Sequence, residues 1–146
     1  MKAVLQRVKE ASVTVDNIIT GQISDGLLVY LGIAGDDTIK ELDYIIKKIC
    51  SLRIFSDENS KMNLSLIDKG FSLLVVSQFT LLAEVHKGNR PSFINAMNGE
   101  QAQELYLKFI SKITNAGIKC ETGRFGANMS VKSINDGPVT IIIESK

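Results

Sequence analysis

Histidine, cysteine and an excess of either charge are all scarce in this sequence. A single histidine, His86, stands among 146 residues. A histidine base needs a nucleophile and an orienting partner. His86 lies in a polar loop between Val85 and Lys87, so the expected reading is a solvated loop residue rather than a catalytic base. Two cysteines, Cys50 and Cys120, make no disulfide framework. Cys50 falls in an apolar helical pattern and Cys120 in a short run near a turn, so both read as reduced packing residues of a cytoplasmic protein. No Cys or His pair has ligand spacing, and no metal site is expected. Lys plus Arg numbers 17 against 16 for Asp plus Glu, a net charge of +1. Proteins that grip many phosphates are far more basic. An extended duplex is therefore excluded as partner, while contact with one nucleic-acid end stays open. No apolar run approaches the roughly 20 residues of a membrane span, and "MKAVLQRVKE" lacks the apolar core of a signal peptide. There is no GxGxxG fingerprint and no Gly-rich loop with GK[ST], so nucleotide phosphates have no recognisable cradle; no cofactor is expected.

What is present reads as one domain over residues 1–146, with no repeat and no break in composition. "AVLQRV" and "ASVTV" alternate apolar and polar residues and predict one long strand with an irregularity at Lys9–Glu10. A turn at Asp16–Asn17 leads into "NIITGQI". "GLLVYLGIA" is continuously apolar, as a strand buried on both faces is. Thr38 and Glu41 fit a capping box. Behind them Ile39, Leu42, Ile45, Ile46, Ile49 and Leu52 form one helical stripe. "SDENSKMN" reads as a polar loop and "FSLLVVSQFTL" as the next strand. "AEVHKGNRPSF" reads as a loop closed by Pro91 as a first helical residue. "GEQAQELYLKFISKITNAG" is a second long helix, with Ala102, Leu105, Phe109, Ile110 and Ile113 on its apolar face and Gly117 as a left-handed cap. The remainder predicts short strands broken at Gly123, Gly126 and Asp136–Pro138. The expected class is α/β: a mixed, largely antiparallel, curled and barrel-like sheet with both long helices on one side.

With so few ionisable candidates, any chemistry must come from backbone and hydroxyl groups. Two places offer it. Ser77, Gln78 and Thr80 gather polar side chains at the end of the most apolar stretch. They are either a strand end satisfying local backbone groups or a pocket floor whose N–H groups face a developing oxyanion. "NDGPVT", residues 135–140, is a turn signal on composition. It also offers two consecutive carbonyls at Gly137 and Pro138, and a cis bond there would point both outward as an acceptor for an ammonium group.

"SQFTL" at 77–81, "KGNRPSF" at 87–93 and "NDGPVT" at 135–140 stand in register across a chain that runs from "MKAVLQRV" to "VTIIIE". Together they resemble the D-aminoacyl-tRNA deacylase family, also called D-Tyr-tRNA(Tyr) deacylase. The resemblance implies a homodimeric, metal-free esterase that cleaves the ester between a D-amino acid, or glycine, and the terminal adenosine of tRNA. It implies a pocket at the dimer interface with catalytic roles for Ser77, Gln78, Phe79 and Thr80. Substrate-binding roles fall to Gly137, Pro138, Arg7 and Met129, with the Gly137–Pro138 bond cis, entering from the partner and braced by Arg7. The Phe79 or Thr80 N–H is the expected oxyanion donor. Thr80 is expected to place a water, with the 2′-OH of the ribose as an alternative activator and a covalent Thr80 as a third route. The α-ammonium held by the two carbonyls would drive an L side chain into backbone, leave a D side chain in solvent, and let glycine through. Lys87 or Arg90 would add contacts to the 3′ end. Two other readings compete: an editing domain that removes a wrong L-amino acid, and a nucleic-acid-binding module without catalysis, against which the missing basic stripe and stacking platform count.

Overall fold

The structure of the chain, a computed structural model, describes residues 1–145. β1 (Lys2–Val15), β2 (Ile18–Ile23), β3 (Gly26–Gly32), β6 (Ser72–Ser77), β7 (Cys120–Thr122) and β8 (Ser130–Glu144) form one sheet. Its order is β2-β1-β3-β6-β7, with β8 along the other edge of β1. The β1 pairs are antiparallel, while β3–β6 and β6–β7 are parallel. A small hairpin, β4 (Phe55–Ser56) and β5 (Met62–Leu64), stands apart. The helices are α1 (Ile39–Ser51), the single turn α2 (Leu66–Lys69) and α3 (Gly99–Asn115). Among the described residues, no helix is long and apolar enough to cross a membrane.

Local signals set most of these boundaries. Asp16 and Asn17 both take positive φ, +50° and +63°, the geometry a two-residue hairpin with right-handed strand twist requires. Thr38 and Glu41 form the predicted capping box. Asn98 caps α3 through its side chain, which accepts from the Glu100 N–H at 3.0 Å. Gly117 takes φ +80° just past its end.

The alternation of β1, β3 and β6 divides the apolar residues between two cores. Ala3, Leu5, Leu27, Val29, Leu73 and Val75 face the helices and meet Leu42, Ile45 and Ile49 of α1 and Leu105, Phe109 and Ile113 of α3. Leu28, Leu74 and Val76 face the other way and meet Val8, Val13, Val15 and Ile23, where β1 and β2 curl over the sheet. This is why Leu27, Leu28 and Val29 of β3 are apolar in succession: that part of the strand is covered on both faces. Full burial of each such aliphatic side chain contributes roughly 1.5–3 kcal/mol. The curl brings β2 against β7, where a Cβ on Gly21 would collide with the Thr122 backbone. The expected architecture stands: a mixed, curled sheet with both long helices on one side.

Several boundaries differ from the sequence reading. The "SDENSKMN" stretch is a hairpin, because Asp57 accepts from the Asn59 and Lys61 N–H groups and closes its turn. Leu66–Lys69 forms a capped helical turn. Pro91 starts no helix; α3 begins at Gly99 instead. In α1, Ile39 is exposed and Leu52 is the cap residue, so the buried face is Leu42, Ile45, Ile49 and Cys50. Strand β6 stops at Ser77, and Phe79–Leu82 is a 3-10 turn. Asp136–Pro138 does not break the chain into separate strands. It lies within the continuous 15-residue β8 as a bulge, where four residues, 136–139, span the single residue Arg7 of β1.

Candidate active site

The site begins where the parallel strands end at their carboxyl side, the place where open α/β sheets offer a crevice. Ser77 pairs with Leu31, and the Gln78 N–H donates to the Leu31 carbonyl at 2.8 Å as the last ladder bond. The chain then folds over Gly32. A Cβ there would lie 3.0 Å from the Gln78 carbonyl oxygen and 3.1 Å from the Leu81 Cβ, so the turn needs a glycine beneath it. Leu81 N–H donates to Gln78 O at 3.3 Å and Ala83 N–H to Thr80 O at 3.1 Å. The two N–H groups that open the turn, those of Phe79 and Thr80, find no acceptor among the described residues, as the first donors of any helical turn do not. The Gln78 amide donates to the Thr80 hydroxyl. That oxygen is thereby held, and its own proton is free for another acceptor.

Beside the turn opens a cavity of about 500 Å³, a size that suits a small ligand. It is lined by Leu31, Val76 and Ser77 of the sheet, by Gln78 and Phe79 of the turn, by Met97 and Ala102, and by Phe125 and Met129. The Phe125–Met129 segment lies close because Gly123 has no side chain: a Cβ there would collide with the Met129 sulfur. Beneath, Tyr106 of α3 donates to the Val75 carbonyl at 2.8 Å and packs its ring 5.5 Å from that of Phe125. Burial raises the Tyr106 phenol well above its ordinary value, so it stays neutral and structural. Burial, with Glu121 and Cys50 nearby, pushes the Cys120 thiol up to about 12. Neither group can exchange a proton near neutral pH.

The β8 bulge is a different kind of place. Its Gly137–Pro138 bond is cis. Gly137 and Pro138 are exposed and have no register partner on β1. Arg7, only 9% exposed, braces the bulge from below. Its Nε donates to the Asp136 carbonyl at 3.1 Å and lies 3.0 Å from Asp136 Oδ2, while Nη1 donates to the Ile54 carbonyl at 2.6 Å. Gly137 has φ +123°, and a Cβ on it would sit 3.1 Å from Arg7 Nη2.

The structure therefore divides the eight residues singled out in the sequence. Ser77, Gln78, Phe79 and Met129 line one cavity and Thr80 follows in the turn. Arg7, Gly137 and Pro138 lie elsewhere. The row through Ser77 runs across Leu31 and Ala3 to Ile143, whereas the bulge sits opposite Arg7, whose row runs through Leu27 to Leu73. Four residues along β6 is about 13 Å and three strand spacings about 14 Å, so the two places lie about 19 Å apart measured along the sheet surface. Sequence reasoning missed Phe125, Ala102 and Met97. An aromatic residue between Gly123 and Gly126 was the available signal for the first. Ala102 was assigned to the core face of its helix, and Met97 carries no local signal. His86 does not line the cavity: its side chain is 89% exposed, with Nε2 3.8 Å from Glu84 Oε1.

Residues 4–144 match the family model described as D-Tyr-tRNA(Tyr) deacylase. The D-aminoacyl-tRNA deacylase of Desulfatibacillum aliphaticivorans is 55% identical over 146 residues, which is 100% of both chains. That of Clostridioides difficile is 54% identical over 145 residues, 99% of this chain and 97% of the other. Among solved structures, the c-Myc DNA Unwinding Element Binding Protein matches with a TM-score of 0.94 at 46% identity, covering 100% of this chain and 99% of that one. A probable eukaryotic D-amino acid tRNA deacylase shares the fold, with a TM-score of 0.85 at 18% identity over 97% of each chain. With a family match spanning nearly its whole length and relatives more than half identical from end to end, this chain belongs to the D-Tyr-tRNA(Tyr) deacylase family of ester hydrolases.

Proposed function

We propose that this chain hydrolyses the ester bond of D-aminoacyl-tRNA, and of Gly-tRNA, to free amino acid and tRNA. The observation that carries the chemistry is the pair of unpartnered N–H groups of Phe79 and Thr80 at the rim of an apolar cavity. The terminal adenosine enters the cavity between Ala102, Phe125 and Met129. Its 3′-ester carbonyl then lies at the rim, oxygen toward those donors. Water adds to the carbonyl carbon, and the negative charge that builds on oxygen is met by donors already in place. Removal of one such donor in other enzymes costs about 100- to 1000-fold. The tetrahedral intermediate collapses, the ribose 3′-oxygen leaves and takes up a proton, and the amino acid departs as its carboxylate. Thr80, its hydroxyl held by Gln78, accepts or donates one hydrogen bond to the attacking water. The 2′-OH of the ribose is the candidate proton relay: it accepts the water's proton as it gives its own to the departing 3′-oxygen, since burial keeps both Tyr106 and Cys120 protonated.

Handedness is read by a second protomer. Gly137 and Pro138 do not line the cavity of their own chain, and they sit in an exposed bulge of an edge strand. The sheet face opposite the helices is open at one end, where Ile142, Val4 and Tyr30 stand side by side in register and Ile142 is 64% exposed. An unpaired edge and an apolar row are the features that a second copy covers. In such a homodimer the Gly137 and Pro138 carbonyls of each protomer accept the α-ammonium of the substrate bound by the other. An L side chain would then meet backbone, a D side chain solvent. Lys87 and Arg90, both exposed on the loop beside the rim, steady the phosphates of the 3′ end. The test is deacylation of D-Tyr-tRNA, L-Tyr-tRNA and Gly-tRNA side by side. Cleavage of the first and third with the second intact supports the reading; cleavage of L-Tyr-tRNA at a similar rate overturns it.

A further inference from the structure

We propose that Phe93 is a positioning residue, which holds the Phe79 and Thr80 N–H groups in place by gripping the Phe79 ring. The inference rests on the reading of that turn as the oxyanion site. The turn needs such a support: none of its four residues is buried, and the Phe79 side chain is 56% exposed. Two donors that must stay fixed during the reaction thus stand on a segment with little packing of its own.

Phe93, which closes the "KGNRPSF" stretch and takes part in no step of the chemistry, supplies the missing contact. The Phe93 ring meets the Phe79 ring edge-to-face, with centroids 5.0 Å apart and planes at 71°, the preferred geometry for an aromatic pair. Phe93 is anchored on both sides. Ser92 and Glu84 exchange two backbone hydrogen bonds, 2.8 and 3.0 Å, tying the loop back to the residue that follows Ala83 at the end of the turn. Beyond Phe93, the Ala96 N–H donates to the Phe93 carbonyl at 3.0 Å. The Gly35 N–H donates to Asn95 O at 3.0 Å and the Met97 N–H to Ile33 O at 2.9 Å, so the segment joins the continuation of β3. The Phe93 ring therefore reaches the turn from a frame fixed to the sheet. Its neighbour Ile94, 85% exposed, points away from this contact and provides the control.

Single-turnover and steady-state cleavage of D-Tyr-tRNA tests the idea on the full chain. Phe93→Ala is expected to lower kcat at least about tenfold, as displaced catalytic groups do, with KM within about twofold. Phe93→Tyr restores the rate, and Ile94→Ser leaves it unchanged. In a Phe79→Ala background, adding Phe93→Ala costs nothing more, because the grip has nothing left to hold. A raised KM with kcat intact would make the ring a substrate contact and overturn the proposal. Additive losses in the double variant, or no loss in Phe93→Ala, would overturn it too. Thermal melting checks the fold; should Phe93→Ala melt early, Phe93→Leu replaces it with the same expectations. A wild-type chain that leaves D-Tyr-tRNA intact overturns the proposed function and this inference together, whereas an active wild type with an indifferent Phe93→Ala overturns this inference alone.

Discussion

The end of β6 and the middle of β8 both interrupt a strand, and they do so in opposite ways. At Ser77–Leu82 the strand terminates, the chain turns over Gly32, and two backbone N–H groups are left without an acceptor among the described residues, beside a cavity. At Asp136–Val139 the strand continues, four residues crowd opposite Arg7, and two backbone carbonyls are left at an exposed edge. One place borders a cavity and is proposed to present donors, while the other is an exposed bulge proposed to present acceptors. A developing oxyanion needs the first and an ammonium group needs the second, and an aminoacyl ester carries both. The two places stand on different rows of the sheet, and the proposed function joins them through a second copy that brings its bulge to the first copy's hollow. They are also supported differently. The hollow leans on aromatic contacts and a glycine, the bulge on a buried arginine with a hydrogen bond to the Asp136 carbonyl and an ion pair to its carboxylate.

The proposed pairing of the two regions breaks most severely if the copies are separated. Ile142→Lys places a charge on the exposed apolar row. It is expected to give a monomer by analytical ultracentrifugation and to lower deacylation at least about 100-fold, since charge at a desolvated contact costs several kcal/mol. An active monomer would show that one chain suffices. A milder break leaves the dimer and disturbs the bulge. Gly137→Ala forces a Cβ onto a backbone at φ +123°, against Arg7 and Val139, at a cost of about 1–3 kcal/mol. The expected result is about a tenfold or greater loss of D-Tyr-tRNA cleavage, with binding of the uncharged tRNA 3′ end unchanged. Thr80→Ala sharpens the role of the hollow. It removes the hydroxyl that Gln78 holds while leaving both N–H groups, so kcat is expected to fall about 10- to 100-fold with little change in KM. A rise in KM alone would make Thr80 a binding group. The smallest effect is expected at His86, which belongs to neither region. His86→Ala should keep activity within about twofold, as substitutions away from special features do, and a large loss would restore histidine to the chemistry.

Much of this fold was legible in local pattern. The capping box at Thr38–Glu41, the Asp16–Asn17 hairpin and the doubly apolar Gly26–Gly32 strand each follow from short-range chemistry, and each stands where expected. Other stretches misled for equally definite reasons. Asp-Gly-Pro reads as a turn because in most chains it is one; here β8 is held on both flanks by pairing with β1, and the turn-forming residues bulge instead of reversing. Pro91 looked like a helix start, yet the pairing of Glu84 with Ser92 and of Ala34 with Ala96, with a turn at 94–95 between them, keeps that segment out of a helix until Asn98. The run from Phe71 to Leu81 looked like one strand, and its termination at Ser77 depends on Gly32 in a neighbouring strand.

By itself the sequence determined which residue types are available for chemistry, where the apolar faces run, and, through three motifs in register, the family. It carried the placement of Ser77–Thr80 at a strand end, because a polar cluster closing an apolar run is a local signal. Only the tertiary structure decided that Arg7 and Gly137 lie on a different row of the sheet from Ser77, that Phe125, Ala102 and Met97 line the cavity, and that Phe93 touches Phe79. Those relations join segments that are not neighbours in the chain. Sheet register and strand spacing, which no local propensity encodes, set the distances between them.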